Sequence, residues 1–145
     1  TALMELMQCC WRLGNLDGAR ECKERYLESQ GEFYKECKAL GRSVEELFAG
    51  DCSNGRGHAY HLFLMHYYCG EYEEAGKYLE RMEKSPWCWN CTRKECTEEW
   101  ELKGYMALYR GRTQEAIEYF RRAVETSSRG NEDAEKELRI LGVEI

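Results

Sequence analysis

Arg110-Gly111-Arg112-Thr113-Gln114-Glu115-Ala116 decides the fold, because the chain writes the same pattern three times. Cys69-Gly70-Glu71-Tyr72-Glu73-Glu74-Ala75 repeats it, and so does Leu13-Gly14-Asn15-Leu16-Asp17-Gly18-Ala19. In each copy an apolar helical pattern precedes the glycine and a second one begins just after it. Glycine accepts the left-handed backbone that ends a helix, and a small alanine in the next helix lets two helices approach closely. The unit is a helix–turn–helix hairpin, and its recurrence is what a helical solenoid requires.

Working outward from these joints, the first helices read as Leu3–Leu13, Ala59–Cys69 and Glu98–Arg110, and the second helices begin at Leu16, Tyr72 and Thr113. Thr97 precedes Glu98-Glu99 and is the expected N-cap of its helix. The first of the second helices continues at helical spacing through Tyr26, Phe33, Cys37, Leu40, Val44 and Leu47. Gly41 is expected to break it, with Ser43 and Glu46 forming a capping box for a short helix ending near Gly50. Asp51–Gly57 reads as a polar loop and Ser85–Lys94 as a second irregular segment. A helix from Glu132 to Leu141, stopped at Gly142, closes the stack. The expectation is one all-α domain over residues 1–145, with about three hairpins, a C-terminal capping helix, and irregular insertions near 50–58 and 84–96.

These patterns resemble the tetratricopeptide repeat family. In the third unit Trp100, Gly104, Ala116, Phe120 and Ala123 stand at the spacing of that family's large, small, small, aromatic and small residues. The second unit keeps Leu62, Ala75 and Leu79, with Phe63 at the small position and Pro86 one place early. The first keeps Leu6 and Ala19, with Met7 and Lys23 where small and aromatic residues are usual. The three alanines also lie farther apart than the repeat length of roughly 34 residues.

The resemblance implies a module that binds a peptide or protein segment, with the first helices lining a groove. The family's offsets, carried over residue by residue, give Met4, Gln8, Trp11 and Arg12, then Tyr60, Leu64, Tyr67 and Tyr68, then Glu101, Tyr105, Leu108 and Tyr109. Tyrosine and tryptophan suit such a surface because they combine large contact area with a polar tip. The competing reading is that these rings fill the core. The groove lacks the Lys and Asn pattern with which chaperone-binding relatives hold a terminal carboxylate. Leu40-Gly41-Arg42-Ser43 and Leu141-Gly142-Val143-Glu144 are also similar to runs in bacterial transcriptional activator domains. That likeness implies an alternative, the regulatory segment of a transcription regulator whose DNA contact lies in another domain.

Composition narrows the function further. Charged residues are 33% of the chain, both signs are interleaved, and the formal net charge is -6. Affinity for a phosphate backbone comes mostly from Lys and Arg, so direct nucleic-acid binding is disfavoured. No stretch reaches the roughly 18 consecutive apolar residues of a membrane span; the most apolar run, Ala59–Cys69, is interrupted by His61 and His66. No signal peptide is visible, and without an initial Met the chain reads as a segment of a larger protein. The nine cysteines are odd in number and several occupy apolar helical positions, where reduced cysteine packs as a small hydrophobe. A reducing cytoplasm is the expected setting.

Cys88-Trp89-Asn90-Cys91, followed by Cys96, has a spacing that can turn thiolates toward one Zn²⁺, and a zinc-stabilised adaptor is the third functional class. No second CxxC or HxxxH completes such a site, so the expectation is a turn packed by Trp87 and Trp89, with no cofactor. His58, His61 and His66 lack the acidic companion of a metalloprotease helix. No nucleophile, base and oxyanion site assemble, and the chain reads as no enzyme.

Overall fold

Gly14, Gly70, Gly111 and Gly142 set where helices stop. In the computed structural model, which describes residues 2–29, 39, 41, 56–84, 95–127 and 130–144 (the side chains of 56–58 excepted), their φ values are +76°, +79°, +74° and +78°. Each glycine N–H donates to the carbonyl three residues back, and the following N–H donates to the carbonyl five residues back: Asn15 to Cys10, Glu71 to His66, Arg112 to Ala107 and Val143 to Leu138, at 2.8–2.9 Å. This paired bonding is the Schellman stop, which satisfies the orphan carbonyls of a helix end. The glycine stop of the three quoted joints therefore occurs a fourth time, at Gly142.

Seven helices and no strand occupy the described residues. They are α1 Ala2–Arg12, α2 Leu16–Glu28, α3 Arg56–Tyr68, α4 Tyr72–Lys84, α5 Thr97–Tyr109, α6 Thr113–Thr126 and α7 Glu132–Ile140. The fold is an all-helical, tetratricopeptide-like arrangement of hairpins: α1 packs on α2, α3 on α4 and α5 on α6, with α7 against α6. The second helices start where the sequence places them.

Three local expectations change. Arg56 and Gly57 belong to α3 rather than to a loop. The helix begun at Leu16 stops at Glu28, with Ser29 as its C-cap. Phe33, Cys37, Leu40, Val44, Leu47 and the Ser43/Glu46 capping pair lie outside the described residues, as do Ser85–Lys94, although Gly41 has the helix-ending φ of +70°. Cys96, not Thr97, is the N-cap of α5. The Thr97 hydroxyl donates instead to the Ala123 carbonyl at 2.5 Å, joining the start of α5 to α6.

Burial separates the two kinds of helix. The second helices bury one narrow stripe: Ala75, Leu79 and Met82 in α4, and Ala116, Phe120 and Ala123 in α6. This i, i+4, i+7 pattern belongs to an amphipathic surface helix. By contrast α3 buries Leu62, Phe63, Leu64, Met65, Tyr67 and Tyr68, and α5 buries Glu101, Leu102, Tyr105 and Met106. Helices buried over more than one stripe have neighbours on more than one side. One side of α3 and α5 faces the hairpin partner; the other meets α1 and α7 across an inner face.

Candidate functional site

The inner face is built from aromatic side chains that converge because the first helices share one register relative to their stop glycines. Trp11 of α1 lies 5.3 Å from Tyr67 and 5.4 Å from Tyr68 of α3, and 6.1 Å from Tyr105 of α5, measured between ring centroids. Tyr67 stacks on Phe63 at 5.5 Å and meets Tyr105 at 4.9 Å. Tyr105 meets Phe120 edge-on, so the inner face and the third hairpin share one core.

A chain of hydrogen bonds crosses this aromatic layer. Gln8 Nε2 donates to Tyr68 Oη at 3.2 Å, the Tyr68 and Tyr105 hydroxyls bond at 2.9 Å, and Tyr105 Oη donates to Glu137 Oε1 at 3.3 Å. With Tyr68 donating to Tyr105, every donor points the same way and the chain ends on a carboxylate. Arg12 Nη2 reaches the same Glu137 oxygen at 2.5 Å. Four helices, α1, α3, α5 and α7, are thereby tied together, and Arg12 and Gln8 share a face of α1 because they are four residues apart. Burial is the main cause that pushes the Tyr68 and Tyr105 phenols well above their usual range. Burial also raises the Glu137 carboxyl, against the opposing pull of Arg12.

A second polar knot lies beside the first. Tyr60 Oη donates to Glu101 Oε2 at 2.6 Å, and the Asn131 side chain also bonds this carboxylate. Asn131 further donates to Thr97 Oγ1 and caps α7 by accepting from the Ala134 N–H. Burial, with smaller contributions from Asp133 and Glu98, pushes the Glu101 carboxyl up to about 8, while the Tyr60 bond works against it. The buried polar side chains among the described residues are Gln8, Glu101 and Glu137. All belong to this face and all are hydrogen-bonded, as buried polar groups must be.

The expected groove residues are thus brought together, but not as an open groove. Leu64, Tyr67, Tyr68, Glu101 and Tyr105 are buried, Trp11, Arg12, Tyr60 and Leu108 are half-buried, and Tyr109 is exposed. Tyr109 stacks on Tyr72 at 4.6 Å, and Tyr72 Oη accepts from Trp11 Nε1. The face reaches solvent at its other end, in a cleft of about 270 Å³ between α1, α3 and the first turn of α7. Met4, Gln8, Tyr60, Leu64, Tyr68 and Asp133 are among its walls. Sequence reasoning did not select Asn131, Asp133 or Glu137. The available signal was an acid beside Leu138 on the apolar stripe of α7.

Cys88 and Cys91 lie outside the described residues; Cys96 is half-buried and unbridged. Among the described residues no three His, Cys, Asp or Glu side chains are grouped to hold a metal ion. His61 is exposed at the cleft, whereas His66 stacks on Tyr78 and bonds Glu71 at 3.2 Å. No described helix is long and apolar enough to cross a membrane.

The tetratricopeptide repeat family model matches residues 100–128, which span nearly all of α5, the third joint and α6. No curated protein and no solved structure matches the chain. The Leu141-Gly142-Val143-Glu144 run has the helix-stop bonding of the three joints, and no comparison supports its likeness to bacterial activator domains.

Proposed function

We propose that the chain is a protein-interaction module that binds a peptide or protein segment at the cleft between α1, α3 and α7, and that it is neither an enzyme nor a direct nucleic-acid binder. The repeat carried by α5 and α6 supports the coarse reading, because hairpins of this kind generally mediate protein–protein contact. The observation that carries the finer one is the cleft itself: it opens the end of the expected groove at half-buried Met4 and Tyr60, over buried Gln8, Leu64 and Tyr68. Its walls are mixed, with Met4 and Leu64 beside the Tyr60 and Tyr68 phenols, and Glu5, Glu132 and Asp133, which outnumber Lys136 there, favour a segment carrying basic residues beside an apolar one. This setting requires no metal, and we propose a reduced cytoplasmic protein whose helical circular dichroism is unchanged by a zinc chelator.

The test is selection of displayed peptides on the immobilised chain, followed by fluorescence titration. Met4→Arg, which narrows the mouth from a half-buried position at the edge of the core, is expected to weaken the selected peptides at least about tenfold while the helical circular dichroism is kept. Peptides that bind Met4→Arg as tightly as the native chain would place the partner elsewhere.

A further inference from the structure

The inner face already has an occupant. α7 packs along α6 and sets Glu137 into this face, with Ala134 and Leu138 buried beside it and Glu132, Lys136, Arg139 and Ile140 turned to solvent. The contact is specific at one atom: Arg12 and Tyr105 both bond Oε1 of Glu137, so the donor chain from Gln8 through two tyrosines depends on that carboxylate. We infer that α7 is a replaceable resident of the inner face, and that the fold is built to exchange it for a partner's amphipathic helix presenting a small residue, a carboxylate and a leucine at i, i+3 and i+4. This rests on the reading that the chain binds protein segments, and adds a second kind of segment that enters only when α7, one wall of the cleft, has left.

Two properties make exchange the expected behaviour. The nine residues of α7 are too few to hold a helix alone, and within the helix only Ala134 and Leu138 contribute fully buried apolar side chains. Few buried apolar contacts and a large polar share mark the elements that open first. The vacated face would show its aromatic layer to water and leave Arg12 and the Tyr105 hydroxyl to solvent, so a helix that supplies both apolar cover and an acceptor is favoured there. The face would also reject an apolar helix, which offers Arg12 no carboxylate. A partner helix long enough to be stable by itself, carrying the same three side chains, meets both demands.

The experiment uses the whole chain. Hydrogen exchange of the native protein should show the α7 amides exchanging about 100-fold faster than those of Leu102, Tyr105 and Met106 in α5, through an opening that leaves α5 closed. Leu138→Asp should release α7 while α5 and α6 keep their protection. That variant should then bind a fluorescent peptide copying residues 130–144 saturably, and a peptide with alanine at the positions of Glu137 and Leu138 should fail to bind. If α7 and α5 open together in the native chain, α7 is an integral part of the core and the inference is wrong, whether or not Leu138→Asp folds. A folded Leu138→Asp chain that ignores the native peptide overturns it equally. Neither result bears on binding at the cleft, which Met4→Arg tests separately.

Discussion

Glu101 lies between Trp100 and Leu102 on α5, is 1% exposed, and has no ion-pair partner among the described residues. Its neighbours are a phenol from α3, Asn131 and Asp133 from the start of α7, and Glu98 from its own helix. A carboxyl raised from 4.5 to about 8 holds a proton in the folded chain that the unfolded chain has released. Its contribution to stability is therefore greatest below about pH 4.5 and is lost as the pH rises through about 8. Melting temperatures measured from about pH 5 to about pH 8.5 should fall with a component that Glu101→Gln removes, since glutamine keeps an acceptor for Tyr60 without ionising. A native chain whose Glu101→Gln variant shows the same pH slope would place the titration elsewhere.

At the scale of the element, glycine has two separate jobs, and substitution distinguishes them. A Cβ on Gly111 would meet nothing within 4 Å, so its requirement is the φ of +74°. Gly111→Ala should cost about 1–2 kcal/mol from backbone strain alone. Gly104 is helical, and a Cβ there would stand 2.6–2.8 Å from the ring of buried Phe120. Gly104→Ala should therefore lower stability by about 1–3 kcal/mol in urea unfolding, despite the roughly 1 kcal/mol by which alanine favours a helix. Pairing it with Phe120→Leu should recover part of that loss, because the two side chains contend for one space; no such recovery is expected with Gly111→Ala. The joints are also why the helices were legible in sequence. A glycine stop is a local event, so the starts at Leu16, Tyr72 and Thr113 follow from residues within one turn of it. The cap of α5 was not legible, because the Thr97 hydroxyl bonds the Ala123 carbonyl, and proximity in sequence says nothing of a contact between helices.

At the scale of the whole molecule, Arg12 and Glu137 bond across 125 positions of sequence. Arg12→Ala leaves a carboxylate whose side chain is 3% exposed without its cation. It should cost about 2–3 kcal/mol, discounted from a fully buried pair because Arg12 is partly exposed. A double-mutant cycle with Glu137→Ala should return a coupling of at least about 1 kcal/mol in urea unfolding, and additive losses would show that the two ends are held independently. The membership of the inner face was legible in sequence, since Tyr67, Tyr68 and Tyr105 do converge with Trp11. Its closure was not, because helical spacing reports which residues share a face and not what lies over it. Glu101 was read as a groove residue and Glu137 was not singled out, whereas their neighbours make both core. Closure also limits how this architecture can vary in length. An open solenoid accepts another hairpin at any joint, since each unit touches only its neighbours. Here an added hairpin would carry α7 away from α1 and leave Arg12, Tyr105 and Glu137 without one another. Growth by repeat duplication is thus open to this chain only outside the α1–α7 ring.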